Sequence, residues 1–264
     1  MPTIEESNWK VEYLHSASTS LRLAACEYAG VKVIHAAAVP FVYVNYAGNT
    51  SGPFTDELQS SNVHKRSIMF GFDLKATYDF GDDYQYDHIW RFHEDGQFGS
   101  TIVVQGPGEE IKGRHEYHLP FRFDLDVSGR GGDSFQKRSA SGRWTNVAKE
   151  SRSSARHAPD FDWRVLDRSS GRRIELRARP GDAGEAWALR YKQSESWASF
   201  GSAGSGVPGQ PGSVPAIYAD RQSVQDTNVV VWYIAHLSSV ALPAACGPWF
   251  KLSGYPSVPP SAPM

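Results

Sequence analysis

Short segments of alternating apolar and polar residues, separated by turn residues, run through most of this sequence. Residues 68–78 alternate well, and residues 86–93 and 98–104 are joined by Glu94 to Gln97, which contains Asp-Gly. An Asp-Gly turn between two alternating segments is a strong signal for a β-hairpin. Helical periodicity is nearly absent, and only Leu21 to Tyr28 fits it weakly. The pattern predicts a mostly β protein built from antiparallel strands.

The longest predicted strand is His115 to Val127. Side chains alternate along a strand, so Phe121 and Phe123 share one face while Asp124 and Asp126 share the other. Acids at every second position indicate a face that meets solvent or a polar partner rather than core. Further strands are predicted at Val39–Tyr46, Trp163–Leu166, Arg173–Arg179, Ala186–Tyr191 and Asn228–Leu237.

The chain is long enough to bury a sizeable core as a single β-sandwich domain. It has 264 residues, of which 40% are hydrophobic and 12% aromatic. Two stretches rich in Gly and Ser predict flexible loops, at about 128–156 and 201–215, and the Pro-rich residues 256–264 predict a loose tail. Similar strand patterns lie on both sides of each loop, which favours one domain over residues 1–264.

Charge and cysteine content narrow the expected partners and location. The net charge is -2, and acidic and basic residues are interspersed. The sequence has no basic stripe, so nucleic acid is not an expected partner. The first ten residues are polar, and no window reaches about 18 uninterrupted apolar residues, so no membrane segment is expected. Cys26 and Cys246 do not make a disulfide framework. We therefore expect a soluble, cytoplasmic protein with reduced thiols.

Three segments resemble, in the same order, the catalytic β-sandwich of copper amine oxidases. Tyr84 to Gly96 is similar to the strand and hairpin that carry the quinone-forming tyrosine, with Trp-x-Phe before Asp-Gly. His115 to Gly129 resembles a His-x-His motif followed by Phe-Arg-x-Asp-x-Asp-x-x-Gly. Ala219 to Tyr233 resembles the strand that leads to the third copper histidine. The resemblance covers roughly residues 35–255 and implies an antiparallel β-sandwich and a homodimer.

The copper positions depart from the family pattern. The resemblance places the three imidazole ligands at His115, Tyr117 and Ser239, so only the first is a histidine. It places the quinone-forming tyrosine at Tyr84, whose neighbours are also changed. Copper prefers nitrogen donors in such a set. We therefore expect no quinone from Tyr84 and no cofactor, with copper or zinc held by His115 and His236 as the alternative.

The resemblance also directs attention to a pocket between the sheets. Asp56 falls where the family's general base might lie, and a base that takes a proton from carbon needs a carboxylate in a dry pocket. The predicted catalytic residues are His115, Tyr84, Asp56 and Tyr117, with Tyr78 or Tyr86 as substitutes for Tyr84. The predicted substrate pocket contains Tyr86, Trp90, Trp232 and His236.

Three functions follow from these residues. The first is an enzyme of secondary metabolism that reuses the pocket for acid/base chemistry, such as cyclisation, isomerisation or elimination, on a small, largely apolar biosynthetic intermediate. The second is a copper-dependent oxidase with a rearranged metal site. The third is a non-catalytic module that binds a small molecule. Thermal stabilisation by a ligand without turnover would distinguish the third.

Overall fold

The computed structural model describes residues 1–16, 19–46, 54–59, 62–80, 85–105, 115–127, 129, 131–156, 160–193, 214–238 and 243–256, without the side chains of residues 16, 19, 46, 115 and 214. The strands in these ranges form two large antiparallel sheets, so the predicted mostly β architecture is confirmed. In chain order they are β1 (Thr3–Glu6), β2 (Trp9–Ser16), β3 (Thr19–Tyr28), β4 (Val31–Ala38), β5 (Phe41–Tyr46), β6 (Phe54–Glu57), β7 (Val63–Ile68), β8 (Gly71–Asp79), β9 (Gln85–His93), β10 (Gln97–Gln105), β11 (His115–Leu125), β12 (Asp133–Arg138), β13 (Trp144–Asn146), β14 (Ser151–Ser154), β15 (Trp163–Asp167), β16 (Arg173–Arg177), β17 (Glu185–Arg190), β18 (Gln225–Thr227), β19 (Val229–Ser238), β20 (Ala244–Cys246) and β21 (Trp249–Ser253).

The two sheets differ in strand order. Sheet I has ten strands in the order β1-β2-β3-β4-β11-β19-β17-β14, with β5 paired to β11 and β6 paired to β5. Sheet II has eleven strands in the order β13-β12-β15-β16-β21-β10-β9-β8-β7, with β18 paired to β12 and β20 to β10. The one helix in the described ranges, α1 (Val214–Tyr218), has five residues. Among the described residues no helix is long and apolar enough to cross a membrane.

The main core lies between the inner faces of the two sheets. Phe123 on β11 packs edge-on against Trp90 of β9, with ring centroids 5.9 Å apart, and against Phe250 of β21, at 4.6 Å. Aromatic pairs of this kind contribute about 0.5–1.5 kcal/mol beyond the area they bury. Cys26 and Cys246 are buried here as free thiols. The alternation that predicted the strands therefore also determines which residues form the core.

The segment that fitted helical periodicity weakly, Leu21 to Tyr28, lies in strand β3. Leu21, Leu23, Cys26 and Tyr28 all point into the main core. The pairing of β3 with β2 shifts register near Ala24, where one strand carries an extra residue. This bulge changes the inward spacing from two to three residues at one point, which imitates helical periodicity.

The Gly/Ser-rich residues 128–156, predicted as a flexible loop, contain the strands β12, β13 and β14 instead. These strands are short, and β13 and β14 lie at the edges of their sheets. Polar and charged residues suit such exposed edges, because they discourage pairing with other chains. Most of the second predicted loop, 201–215, and of the tail, 256–264, lies outside the described residues.

The outer face of sheet I is covered and carries a second, smaller apolar cluster. Trp232 and Tyr43 belong to this cluster, and Tyr218 of α1 stacks on Trp232 with ring centroids 6.5 Å apart. The acids predicted to meet solvent or a polar partner, Asp124 near the end of β11 and Asp126 just after it, are buried. Asp126 has a polar partner, because its Oδ2 lies 2.7 Å from His35 Nε2.

One buried carboxylate fastens the α1 region to sheet I. Glu150, at the start of the β14 segment, accepts hydrogen bonds from the backbone N–H of Arg190 (3.0 Å) and of Asp220 (2.7 Å). Its third partner is the Lys192 ammonium, at 2.9 Å, which also contacts the Tyr218 carbonyl and the Asp220 carboxylate. Three separate stretches of chain therefore meet at the Glu150 side chain.

Candidate functional site

A carboxylate from sheet I and a tyrosine from sheet II meet between the sheets. Asp56 lies on β6, opposite Val42 of β5, and Tyr86 lies near the start of β9. The Tyr86 hydroxyl donates a hydrogen bond to Asp56 Oδ2 at 2.5 Å. Tyr86 is fully buried, whereas Asp56 is half-buried. We call these two residues the Asp56–Tyr86 pair.

The environment of this pair suits proton transfer. Burial raises the pKa of Asp56 above its ordinary value, and the hydrogen bond from Tyr86 acts in the opposite direction. A desolvated carboxylate of raised pKa is a better general base than an exposed one. Phe80, which is 38% exposed, packs edge-on against the Tyr86 ring at 5.4 Å. The pair can therefore take up and donate protons beside an apolar surface.

Tyr78, one of the substitutes for Tyr84, lies directly opposite Tyr86 on β8. Its hydroxyl accepts a hydrogen bond from the Leu21 backbone N–H at 2.8 Å. Burial raises the pKa of Tyr78 well above its ordinary value. Its oxygen thus contacts backbone, while that of Tyr86 contacts the carboxylate.

The other predicted catalytic residues are only partly described. Tyr84 lies outside the described residues. His115 begins β11, opposite Tyr46 of β5, and its side chain is not described. Tyr117 is on the inner face of β11 and is fully buried in the main core. Its position follows from the alternation that also turns Phe123 inward.

The four predicted pocket residues divide between the interior of the sandwich and the outer face of sheet I. Trp90 is fully buried in the main core, as Tyr86 is. Trp232 and His236 instead point to the outer face, because Val231, Tyr233 and Ala235 of β19 face inward. They do not share the interior with Tyr86 and Trp90.

His236 is paired with His118, not with His115. Directly opposite each other on β19 and β11, the two residues have Nδ1 atoms 2.6 Å apart. Their rings are inclined at 72° with centroids 4.9 Å apart. His115 lies three residues before His118 on β11. The predicted metal pair, His115 and His236, is therefore not a pair of directly opposed residues.

A buried histidine that the sequence reasoning missed lies on the inner face of β9. His88 is fully buried, and its Nε2 lies 2.9 Å from Ser100 Oγ. Burial lowers the pKa of His88 to about 3, so its imidazole is neutral at pH 7. Its place between Tyr86 and Trp90 in an alternating segment was the signal that it faces the core.

A buried carboxylate was also missed. Asp182 follows β16 and is completely buried, where its Oδ2 accepts hydrogen bonds from the Tyr233 hydroxyl (2.8 Å) and the Gly247 N–H (2.9 Å). Burial raises its pKa to about 6. In sequence it stands between Gly181 and Gly184, a context that is typical of an exposed turn.

The described residues do not fit a three-histidine copper site. Tyr117 occupies the second ligand position and is packed into the hydrophobic core, and residue 239 is a serine. Within the described ranges, no group of three or more His, Cys, Asp or Glu side chains is arranged to hold a metal ion. Copper in this family's arrangement needs three imidazoles.

Comparison with solved structures agrees with the architecture. The fold is that of the copper amine oxidases. Lysyl oxidase from Pichia pastoris superposes with a TM-score of 0.70 over 96% of this chain at 12% identity. A copper-containing benzylamine oxidase from Hansenula polymorpha gives a TM-score of 0.65 at 12% identity, also over 96% of this chain. The chain spans about half the length of these relatives, 52% and 59%.

The same fold also occurs in a protein of another class. A GalM/aldose epimerase homologue from C. elegans gives a TM-score of 0.52 at 8% identity, covering 95% of this chain and 98% of that one. No family model and no curated protein sequence matches the chain. At these identities the likeness establishes the fold alone, and function must be argued from the site.

Proposed function

We propose that this protein is an enzyme that performs acid/base chemistry on a small, largely apolar substrate, such as cyclisation, isomerisation or elimination. The observation that carries the proposal is the Asp56–Tyr86 pair, in which a half-buried carboxylate of raised pKa accepts a 2.5 Å hydrogen bond from a buried tyrosine. A base and a proton donor in contact between two sheets are the minimum that such reactions require.

The two residues have complementary roles in this proposal. The Asp56 carboxylate takes a proton from a substrate carbon, and burial raises its pKa, which makes it a stronger base than an exposed carboxylate. The Tyr86 hydroxyl donates a hydrogen bond, or its proton, to the substrate atom on which negative charge develops. General acid/base catalysis of this kind contributes roughly 10²–10⁴-fold to a rate.

Neighbouring side chains support an apolar substrate. The partly exposed Phe80 packs against Tyr86, and the buried Trp90 and Tyr117 belong to the same core cluster as Tyr86. Aromatic walls with a few polar groups are typical of small-molecule pockets. We propose that Tyr117 lines a pocket beside the Asp56–Tyr86 pair, and that His115 and Tyr84 also act on the substrate.

The test uses a metabolite extract from cells that lack this chain. Purified wild-type protein, without added cofactor, should convert a metabolite into a product of unchanged mass or one that has lost water, as detected by mass spectrometry. Asp56→Asn should lower the rate at least about 100-fold, and Tyr86→Phe should lower it too, because each removes one partner in proton transfer. Glu57→Gln is the matched control, since Glu57 is the exposed neighbour on β6.

Three results would point elsewhere. Equal rates for Asp56→Asn and the wild type would refute the role of the pair. Product formation that consumes dioxygen would favour the copper-dependent oxidase. Thermal stabilisation by an extract component that is returned unchanged would favour a binding module.

A further inference from the structure

Two histidines converge on the outer face of sheet I, away from the Asp56–Tyr86 pair. His118 and His236 are Cα partners on the adjacent antiparallel strands β11 and β19. Neighbours on each strand face inward: Tyr117 and Leu119 beside His118, and Ala235 beside His236. The rigid pairing of two central strands therefore fixes both imidazoles on the same face.

The contact between the rings is made by nitrogen atoms. The two Nδ1 atoms are 2.6 Å apart, and the rings meet edge to face instead of stacking. Two bare nitrogen lone pairs would repel at this distance, so one Nδ1 must carry a proton that the other accepts. Two imidazole nitrogens this close together can also serve as two ligands of one metal ion.

We propose that His118 and His236 form a binding site for a divalent transition-metal ion, Zn²⁺ or Cu²⁺, on the outer face of sheet I. The proton on the donating Nδ1 moves to Nε2 of the same ring, and the ion is then bound by the Nδ1 lone pairs of both neutral imidazoles. Tetrahedral zinc with bonds of about 2.0–2.1 Å needs ligand nitrogens about 3.3 Å apart. The Nδ1 atoms must therefore separate from 2.6 Å, which a small rotation of either half-buried ring supplies.

The surroundings favour a cation with open coordination positions. Burial disfavours a positive charge on either imidazole, and neutral imidazole is the form that binds metal. The Glu185 carboxylate acts on His236 electrostatically, although Arg152, 3.5 Å from Glu185, offsets part of its charge. Both histidines are half-buried, so water or a small ligand can complete the coordination.

This site is separate from the position where the resemblance places copper. Tyr117, at the second of those positions, points into the main core, whereas His118 points to the opposite side of the same strand. The proposal also stands apart from the catalytic one, since Asp56 lies on the inner side of β6. Either proposal can therefore fail alone.

The experiment titrates the metal-free protein with Cu²⁺ and with Zn²⁺. Isothermal titration calorimetry should show one ion per chain, and electron paramagnetic resonance of the copper form should show nitrogen ligation. His118→Asn and His236→Asn should each weaken binding at least about tenfold, because each removes one of two protein ligands. His64→Asn, at an exposed histidine on β7, should bind as the wild type does.

Further variants locate the ion. Asp56→Asn and His115→Asn should both retain it. Unchanged binding in His118→Asn would overturn the proposal, as would loss of binding in His115→Asn with retention in His118→Asn. Binding by the wild type no tighter than by the double variant His118→Asn/His236→Asn would also overturn it. Circular dichroism melting curves check that every variant is folded, and a folded result for either single variant is sufficient for the test.

Discussion

Replacing Asp182 with Asn should remove a carboxyl group whose ionisation opposes folding. The side chain is completely buried, and its Oδ2 accepts from the Tyr233 hydroxyl and the Gly247 N–H. Its Oδ1 has no hydrogen-bond partner among the described residues. An asparagine oxygen can accept the same two hydrogen bonds, so the substitution changes mainly the charge.

The magnitude follows from the pKa of Asp182. Burial raises it from 3.8 to about 6, so the folded protein holds this proton more tightly than the unfolded chain does. Stability from this group is fully present below pH 4 and is lost as pH rises from about 4 to 6. One pH unit corresponds to about 1.4 kcal/mol, so the loss is about 3 kcal/mol. The Asp182→Asn variant does not undergo this loss, because its side chain does not titrate.

Urea denaturation measures this difference directly. The free energy of unfolding of Asp182→Asn minus that of the wild type should increase by about 3 kcal/mol between pH 4 and pH 7.5. Taking the difference cancels the titration of other, distant groups. Asp160→Asn is the control, because the Asp160 side chain is 66% exposed, and it should follow the wild type. A difference that stays constant over this pH range would refute the reasoning.

Three further perturbations test other parts of the structure. Burial raises the pKa of Asp133 to about 7, so Asp133→Asn should gain up to about 4 kcal/mol relative to wild type between pH 4 and pH 8 in the same urea assay. In Gly184→Ala the new Cβ would lie 2.1 Å from the Tyr233 hydroxyl oxygen, which should cost about 1–3 kcal/mol and lower Tm in calorimetry. Arg91→Met removes two hydrogen bonds, of 2.7 and 2.8 Å, to the buried Asp73 carboxylate and should cost about 2–3 kcal/mol in denaturation.

The strands that are regular could be predicted closely from the sequence. The hairpin predicted at 86–93 and 98–104 is Gln85–His93 and Gln97–Gln105 in the structure. Alternation is a local property, so it needs no knowledge of the partner strand. Where it is interrupted the prediction failed: β3 contains a bulge, and residues 68–78 contain the turn at Met69 and Phe70 that separates β7 from β8.

The sequence predicted some residues of the candidate site but not which of them are in contact. Motif resemblance directed attention to Asp56 and to tyrosines near residue 84, but contact with Asp56 depends on how the two sheets are stacked. The pairing of His118 with His236 depends on the register between β11 and β19. Local residue spacing predicts neither contact, because each contact joins residues from distant parts of the chain. Local spacing therefore favoured a pair of His236 with His115, which lies three residues before His118, the true partner, on β11.

The contacts of Glu150 have a consequence for how the molecule opens. This carboxylate joins the β14 segment, the end of β17 and the chain after α1, so releasing any one of them strips partners from a buried charge. Leaving a buried charge unpaired is costly, which makes partial detachment unfavourable. Amide hydrogen exchange should therefore report a single opening free energy for Arg190 and Asp220. The chain after α1 and the neighbouring strands β14 and β17 of sheet I should therefore unfold as one cooperative unit.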